Sequence, residues 1–326
     1  MTIEKGKPVK IFTWHIHGSY LYYLTQANAE FYLPVKPGGE EGYGGKTSSF
    51  PWGSNVHEVP VEKVKEMNFD IILFQSKKSY LQDQYDILTP EQRALPKIYL
   101  EHDPPRDVPT DTRHVVDDPQ MLLVHVTHFN NLMWDNNRTP SKVIEHGVLV
   151  PPHVSYRGEL DKGIVVINGI AKRGRRLGLD IFHKVRNEVP IDIIGMGSHE
   201  VGGLGEINNT EVASFISQYR FFFNPIRYTS LGLSVCEAMM VGVPVVGLAS
   251  TEMPITIVND VSGYIHTDVD FLITKMKHLL DDPQKAKQLG DGAKSMALSK
   301  FGIERFKSDW LETFNAVLKS RLEIEV

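Results

Sequence analysis

Between Asn224 and Leu248 the chain reads NPIRYTSLGLSVCEAMMVGVPVVGL, and one carboxylate, Glu237, stands between Cys236 and Ala238 in its apolar part. Burying a carboxylate without a partner costs several kcal/mol, so Glu237 must meet either a protein group or a ligand. Pro225 marks the end of a strand, RFFFNPI, and Leu233 opens a helix for which Ser230 is a suitable cap. Gly232 allows close approach, and the first amides of a helix lack intrahelical acceptors, which makes such a turn an anion site. Glu237 falls about one turn further on, where a carboxylate can accept two neighbouring hydroxyls of the kind a ribose presents. Pairing with a nearby arginine or a backbone N–H is the plain alternative, and the residues alone leave both open.

A second group of candidates is basic. AKRGRRLG follows the apolar run GIVVING and places Lys172, Arg173, Arg175 and Arg176 at what the pattern predicts to be a helix start. Positive charge there opposes the helix dipole, so the cluster calls for an anion. The alternative is a solvated helix start. His102 ends the strand KIYLEH, and the carboxyl ends of parallel strands face the ligand crevice. Its alternative is a structural histidine bonded to the loop. HIHGS, residues 15–19, is the first strand-to-helix turn; His15 and His17 alternate along it, which does not suit them as a metal pair.

Other patterns read as structure. Asp268-Val269-Asp270 opens a helix and is expected to cap it. Asp117-Asp118 and Asp281-Asp282 are expected in a loop and at a helix end. GMGSHEVGGLGE lacks the third glycine of a dinucleotide fingerprint. Tyr20–Tyr23 is expected in a helix core.

These residues need a scaffold, and the totals allow a sizeable one: 326 residues, 41% hydrophobic, 23% charged and a formal charge of −5. The balance of charge argues against a general nucleic-acid binder. A single cysteine excludes a disulfide framework and suits a reducing compartment. The start MTIEKGKPVKIFTWHI lacks an apolar signal region, and no apolar run of membrane-spanning length occurs, so a cytoplasmic protein is expected.

Short apolar runs at 9–16, 69–76, 96–103, 121–129 and 141–149 read as strands, with a helix at about 78–87 and a Gly- and Pro-rich loop over 33–55. Residues 150–163 read as a linker. Strands and helices then alternate again to Ser250, and the remainder is helical apart from the turn region that precedes Asp268. Near-continuous apolar strands alternating with helices imply a parallel sheet covered on both faces. Two such halves imply two doubly wound domains with a crevice between them.

The stretch around Glu237 resembles the C-terminal signature of retaining glycosyltransferases of family 4. Pro225, Gly232, Leu233, Glu237, Ala238, Met239, Gly242, Pro244, Val245 and Val246 match its pattern. IVNDVSGYIHTD, with Gly263, is similar to the segment that follows in the family, and EHDPP and VIEHGV are similar to strand ends of the family's first domain. The resemblance runs from about Pro96 onward. It implies an α/β GT-B fold, with two Rossmann-like domains facing a cleft, at 1–150 and 151–303. A C-terminal helix at about 304–323 is expected to return to the first domain.

By the same resemblance, Glu237 holds the ribose of a nucleotide-diphosphate sugar. Thr229 occupies the position of the family's first glutamate, which holds a hydroxyl of the donor sugar. Gly232, Leu233, Lys172 and Arg176 join the donor site, and Gly197 and Gly205 belong to the nucleobase region. Arg173, in the place of a family lysine, and His102, beneath the sugar, are the expected catalytic pair. His17 and Gly18 form the acceptor and phosphate turn. The implied reaction transfers a sugar to a carbohydrate, lipid or small-molecule acceptor with retention, and needs no metal or other cofactor. A sugar-nucleotide epimerase and a non-catalytic nucleotide-sugar binder are the alternatives. No nucleic acid is expected as a partner; membrane contact and oligomeric state stay open.

Overall fold

The computed structural model describes residues 7–324. The chain divides into two compact units, one running to Gly147 and resuming at Ile303, the other Val148–Gly302. Each is built on one parallel sheet.

The first sheet contains β1 (Val9–Thr13), β2 (Ala29–Val35), β3 (Val56–Pro60), β4 (Ile71–Phe74), β5 (Lys97–Glu101), β6 (Leu122–His125) and β7 (Ser141–Val143). Their order across the sheet is β3-β2-β1-β4-β5-β6-β7. Central β4 is buried along its whole length, as a strand covered on both faces must be. Phe12, Trp14, Phe69, Phe74 and Tyr99 form the aromatic heart of this core. The apolar runs locate β1 and β4–β7. Strands β2 and β3 were not expected, because AEFYLPV and VHEVP carry prolines and charges. The sheet tolerates Pro34 since β1 pairs only with residues 29–32, leaving Pro34 to β3 at the sheet edge. The Gly-rich loop therefore begins at Lys36, not Leu33.

The helix Ile303–Ile324 belongs to this unit. Phe306, Trp310 and Phe314 recur every four residues and are fully buried. The Trp310 indole N–H donates to Tyr20 Oη at 3.3 Å, and Arg305 donates to the carbonyls of Glu145 and His146 at 3.0 and 2.5 Å.

The second sheet contains β8 (Leu160–Val166), β9 (Ile191–Ile194), β10 (Tyr219–Asn224), β11 (Val245–Leu248) and β12 (Gly263–His266), in the order β12-β11-β10-β8-β9. Every residue of β10 is buried, including Arg220. Its guanidinium is satisfied by the carbonyls of Gly158 (2.9 Å), Leu279 (3.3 Å) and Leu280 (2.7 Å) and by the carboxylate of Asp161.

The expected linker is part of this unit. Tyr156 N–H donates to Val241 O at 3.1 Å, the amides of Arg157 and Gly158 share Ser217 O at 2.8 and 3.0 Å, and Leu160–Gly163 already belong to β8. Hydrogen bonds to a neighbouring chain segment fixed this stretch, and sequence periodicity does not register them. The helical tail resolves into Val269–Asp281, Pro283–Lys300 and Ile303–Ile324, with Asp268 and Asp282 as capping residues. Among the described residues, no helix is long and apolar enough to cross a membrane.

Candidate functional site

In each sheet the strand order reverses once, between β1 and β4 and between β8 and β10. Parallel α/β sheets bind ligands outside the carboxyl ends of the strands at such a switch point. The candidate residues lie there in both units.

In the second unit the site is made of three adjacent loops, those leaving β10, β8 and β9. Asn224–Gly232 connects β10 to the helix Leu233–Val241. That helix buries Val235, Cys236 and Ala238–Val241, leaving only Leu233, Ser234 and Glu237 partly exposed. These three share one face of its first turns, so Glu237 is half-buried on the open side rather than sunk in the core. Ser234 Oγ donates to Val166 O at 3.4 Å, which sets that face against the end of β8. Gly232, not Ser230, is the N-cap, and as a glycine it brings no side chain to cap the helix. The expected Ser230 cap fails because the chain is still in the loop at that residue. Thr229 is half-buried in the same loop.

The loop after β8 carries the basic residues. The structure moves them from their expected place. Ile170–Arg173 forms a single helical turn, Gly174–Leu177 a 3-10 turn, and the long helix starts only at Leu179. Lys172 and Arg173 therefore end a short turn, where cations are favoured. Both are exposed, and Arg173 reaches Asn168 O at 3.4 Å. Arg175 is committed to Asp180 at 2.7 Å. Arg176 gives its carbonyl to the amides of Arg227 and Tyr228, at 3.1 and 3.2 Å, tying this loop to the one after β10. Arg227 closes the clamp with two hydrogen bonds to Asp180, 2.6 and 2.7 Å long, and these bonds pull the Asp180 carboxyl down to about 2. Gly178 makes the junction passable: at φ 79° it packs so closely that a Cβ would sit 2.0 Å from Pro225 O.

The loop after β9 holds Gly197 and Gly205, at φ 71° and 91°. Gly205 N–H donates to Ser198 Oγ at 2.9 Å and its carbonyl accepts Gly195 N–H at 2.9 Å, folding the loop back on itself. Met196 joins it to the loop after β8: its N–H donates to Asn168 Oδ1 at 2.8 Å and its carbonyl accepts Gly169 N–H at 2.7 Å. Thr229, Gly232, Lys172, Arg173, Arg176, Gly197 and Gly205 thus lie on three connections at one end of one sheet, with Leu233 and Glu237 on the first turns of the helix that one of them opens.

In the first unit His102 follows β5 and is buried. Its Nε2 meets Gln75 Oε1 at 3.1 Å. Gln75 spends its amide hydrogens on Thr13 Oγ1 (3.0 Å) and Trp14 O (3.2 Å), so its oxygen is the acceptor. His102 therefore carries its proton on Nε2 and keeps Nδ1 as a lone pair. Neither the loop backbone nor a carboxylate holds this histidine. Gln75 and Thr13 were not expected; that Gln75 ends the apolar strand FDIILFQS was the available signal. His17 adopts φ 52°, ψ 64°, uncommon for a non-glycine residue, as the N-cap of Gly18–Leu24. Its ring lies 4.0 Å from that of His102, and Tyr20 stands edge-on to His102 at 4.8 Å. Among the described residues, no group of three or more His, Cys, Asp or Glu side chains could hold a metal ion.

Burial, with His17 and His146 nearby, holds the His102 pKa well below the ordinary histidine value. Burial also lowers His17, against the opposing pull of Asp103 and Glu101, and brings His125 to about 4. The unfolded chain, with histidines near 6.5, then binds protons that the folded unit refuses. Stability should be full above that value and fall as the pH drops toward the folded values, by roughly 1.4 kcal/mol per pH unit per histidine. Urea titrations between about pH 7 and pH 5 should show this decline, and His102→Gln should flatten it. Equal slopes in wild type and variant would refute the assignment.

Residues 196–296 match the family model described as Glycosyl transferases group 1. A stretch of 143 residues, 44% of this chain, is 26% identical to trehalose synthase of Pyrococcus horikoshii, and covers 31% of that protein. The chain thus spans less than a third of that relative's length. Over the whole fold it is similar to sucrose-phosphate synthase from Thermosynechococcus elongatus, with a TM-score of 0.65, 12% identity, and 97% of this chain and 96% of the other covered. Anabaena HepE in complex with UDP and glucose gives a TM-score of 0.64 at 12% identity, covering 94% and 99%. The fold is therefore GT-B, two parallel-sheet α/β domains, and the second domain contains the segment that matches the glycosyl transferases group 1 model. The segment contains Gly197, Gly205, Thr229, Gly232, Leu233 and Glu237, but neither the basic turn nor His102.

Proposed function

We propose that this protein is a retaining glycosyltransferase that uses a nucleotide-diphosphate sugar. The observation that carries the reading is the convergence of one carboxylate, a helix start whose N-cap is a glycine, and an exposed basic turn at adjacent strand ends, at the switch point of the second sheet. Glu237 accepts hydrogen bonds from the two ribose hydroxyls. The amides at Leu233 and Ser234, with Arg173 and Lys172, meet the diphosphate and stabilise the charge that grows as it leaves. Gly197 and Gly205 shape the backbone beside the base, and Arg176 holds the two loops together. The bond from the anomeric carbon to the phosphate oxygen breaks with its electron pair on oxygen. The acceptor hydroxyl adds on the same face, and its proton passes to the departing phosphate. His102, neutral and with Nδ1 free to accept a hydrogen bond, positions the donor sugar; His17 and Gly18 shape the acceptor turn. Thr229 offers the sugar a hydroxyl in place of a charge. The cations and the helix start do the work that a metal would otherwise do.

Uridine is the favoured base, since the similar structure of Anabaena HepE holds UDP and glucose. A thermal-shift panel of UDP-, GDP-, ADP- and dTDP-sugars tests the reading, because a ligand that binds only the native state raises its stability by mass action. UDP-sugars should raise the melting temperature most. No shift with any donor would overturn the proposal, and conversion of the donor sugar without an acceptor would replace it by epimerisation.

A further inference from the structure

We infer that Tyr22, Phe50 and Trp52 form a platform for the pyranose ring of a sugar acceptor, an assignment that rests on the transferase reading and narrows its acceptor to a carbohydrate. Tyr22 was expected in the core with Tyr20 and Tyr23. Those two are buried, but Tyr22 is only half-buried, as are Phe50 and Trp52. Tyr22 and Phe50 lie nearly parallel, at 18° and 5.2 Å between centroids. Trp52 stands across them, at 84° and 5.8 Å to Tyr22 and 70° and 5.5 Å to Phe50. The result is a corner of two aromatic walls.

The chemistry of the corner selects its occupant. The Trp52 indole N–H is spent on Thr47 O at 2.8 Å, so what it offers a ligand is carbon surface. A pyranose ring presents C–H bonds on one face and hydroxyls around its rim, and the C–H face packs on aromatic rings. His15 supplies the matching rim acceptor. Its Nδ1–H donates to Gly45 O, which leaves Nε2 with a lone pair, and its ring lies 5.6 Å from that of Trp52. None of these side chains is a carboxylate, lysine or arginine, which suits a neutral ring.

The corner also sits where an acceptor must come. A Cβ on Gly18 would lie 3.0 Å from His15 Nε2 and 3.2 Å from Phe50 Cε2. The glycine thus brings the imidazole and the aromatic wall together at the turn after β1, at the switch point of the first sheet. The loop that carries Phe50 and Trp52 is tied down in advance. His15 N–H donates to Gly42 O at 3.2 Å and Lys46 N–H to Glu58 Oε1 at 2.6 Å. A rigid aromatic surface binds with little ordering cost. A lipid chain would fill the walls but leave the His15 acceptor without a donor.

The test uses the whole chain and two readouts. The first is tryptophan emission during titration with methyl glycosides of glucose, galactose, mannose and N-acetylglucosamine, and with maltotriose. The other tryptophans, Trp14, Trp134 and Trp310, are buried, so a change reports Trp52. At least one sugar should shift the emission. The second is transfer to the sugar that binds. Trp52→Leu should raise the acceptor KM about tenfold or more, while Trp52→Phe, which keeps a ring, should stay within about threefold. The inference is overturned if no sugar moves the emission, if Trp52→Leu keeps the wild-type acceptor KM, or if only phosphatidylglycerol vesicles give a response. Sugar binding at Trp52 without any nucleotide-sugar binding would instead sink the transferase reading and leave the platform standing.

Discussion

Replacing Glu237 with alanine should raise the dissociation constant for the nucleotide diphosphate by at least about a hundredfold, as expected for losing two hydrogen bonds to a charged acceptor at about 1.5–3 kcal/mol each. Glu237 stands on the open face of the Leu233–Val241 helix, beside Leu233 and Ser234, so the change leaves the buried face of that helix untouched. Folding should therefore be nearly unaltered, and isothermal titration with UDP can be read as binding alone. Glu237→Gln should be intermediate, since an amide oxygen accepts one hydroxyl well but lacks the charge. The 2′,3′-dideoxy nucleotide makes the assignment specific: it should bind wild type and Glu237→Ala alike. Wild-type affinity in the alanine variant would remove the ribose role.

The second large effect is expected on turnover. Arg173→Ala should lower kcat by about a hundredfold with little change in donor KM, the pattern of a group that meets charge developing in the transition state. The neighbouring cations provide the control. Arg175 is paired with Asp180, and Asp180 is also held by two bonds from Arg227, so Arg175→Ala should cost little in rate. Lys172 is exposed on the same turn as Arg173 and should contribute less. Steady-state kinetics on the three variants separates them. A rate loss confined to Lys172→Ala would move the phosphate contact to that residue.

These predictions depend on features that differ in how legible they were. The Leu233–Val241 helix could be placed within the sequence because a polar turn, a glycine and an apolar run follow one another locally. The capping role of Asp268 was legible for the same reason: a side chain that accepts its own helix's amide at 2.9 Å needs only two residues of context. The basic turn was only half legible. Its charges could be counted, but the break of helix at Gly174–Gly178 comes from packing against Pro225, nearly fifty residues away in the sequence.

Local composition implies that apolar runs alternate with amphipathic ones, hence two parallel sheets, and that Glu237 and the basic turn each follow a strand. The reason is that burial on both faces of a parallel strand leaves a continuous apolar run. Which strand ends are neighbours is fixed by the packing of the folded chain. β10 lies beside β8, and β8 beside β9, so the loop that leads into the helix of Glu237 adjoins those bearing Arg173 and Gly197. The same rule brought Gln75 to His102, and Tyr22 to Phe50 and Trp52. Strand order is set by how whole faces pack and by the hand of each crossover, and no local window of residues carries that information.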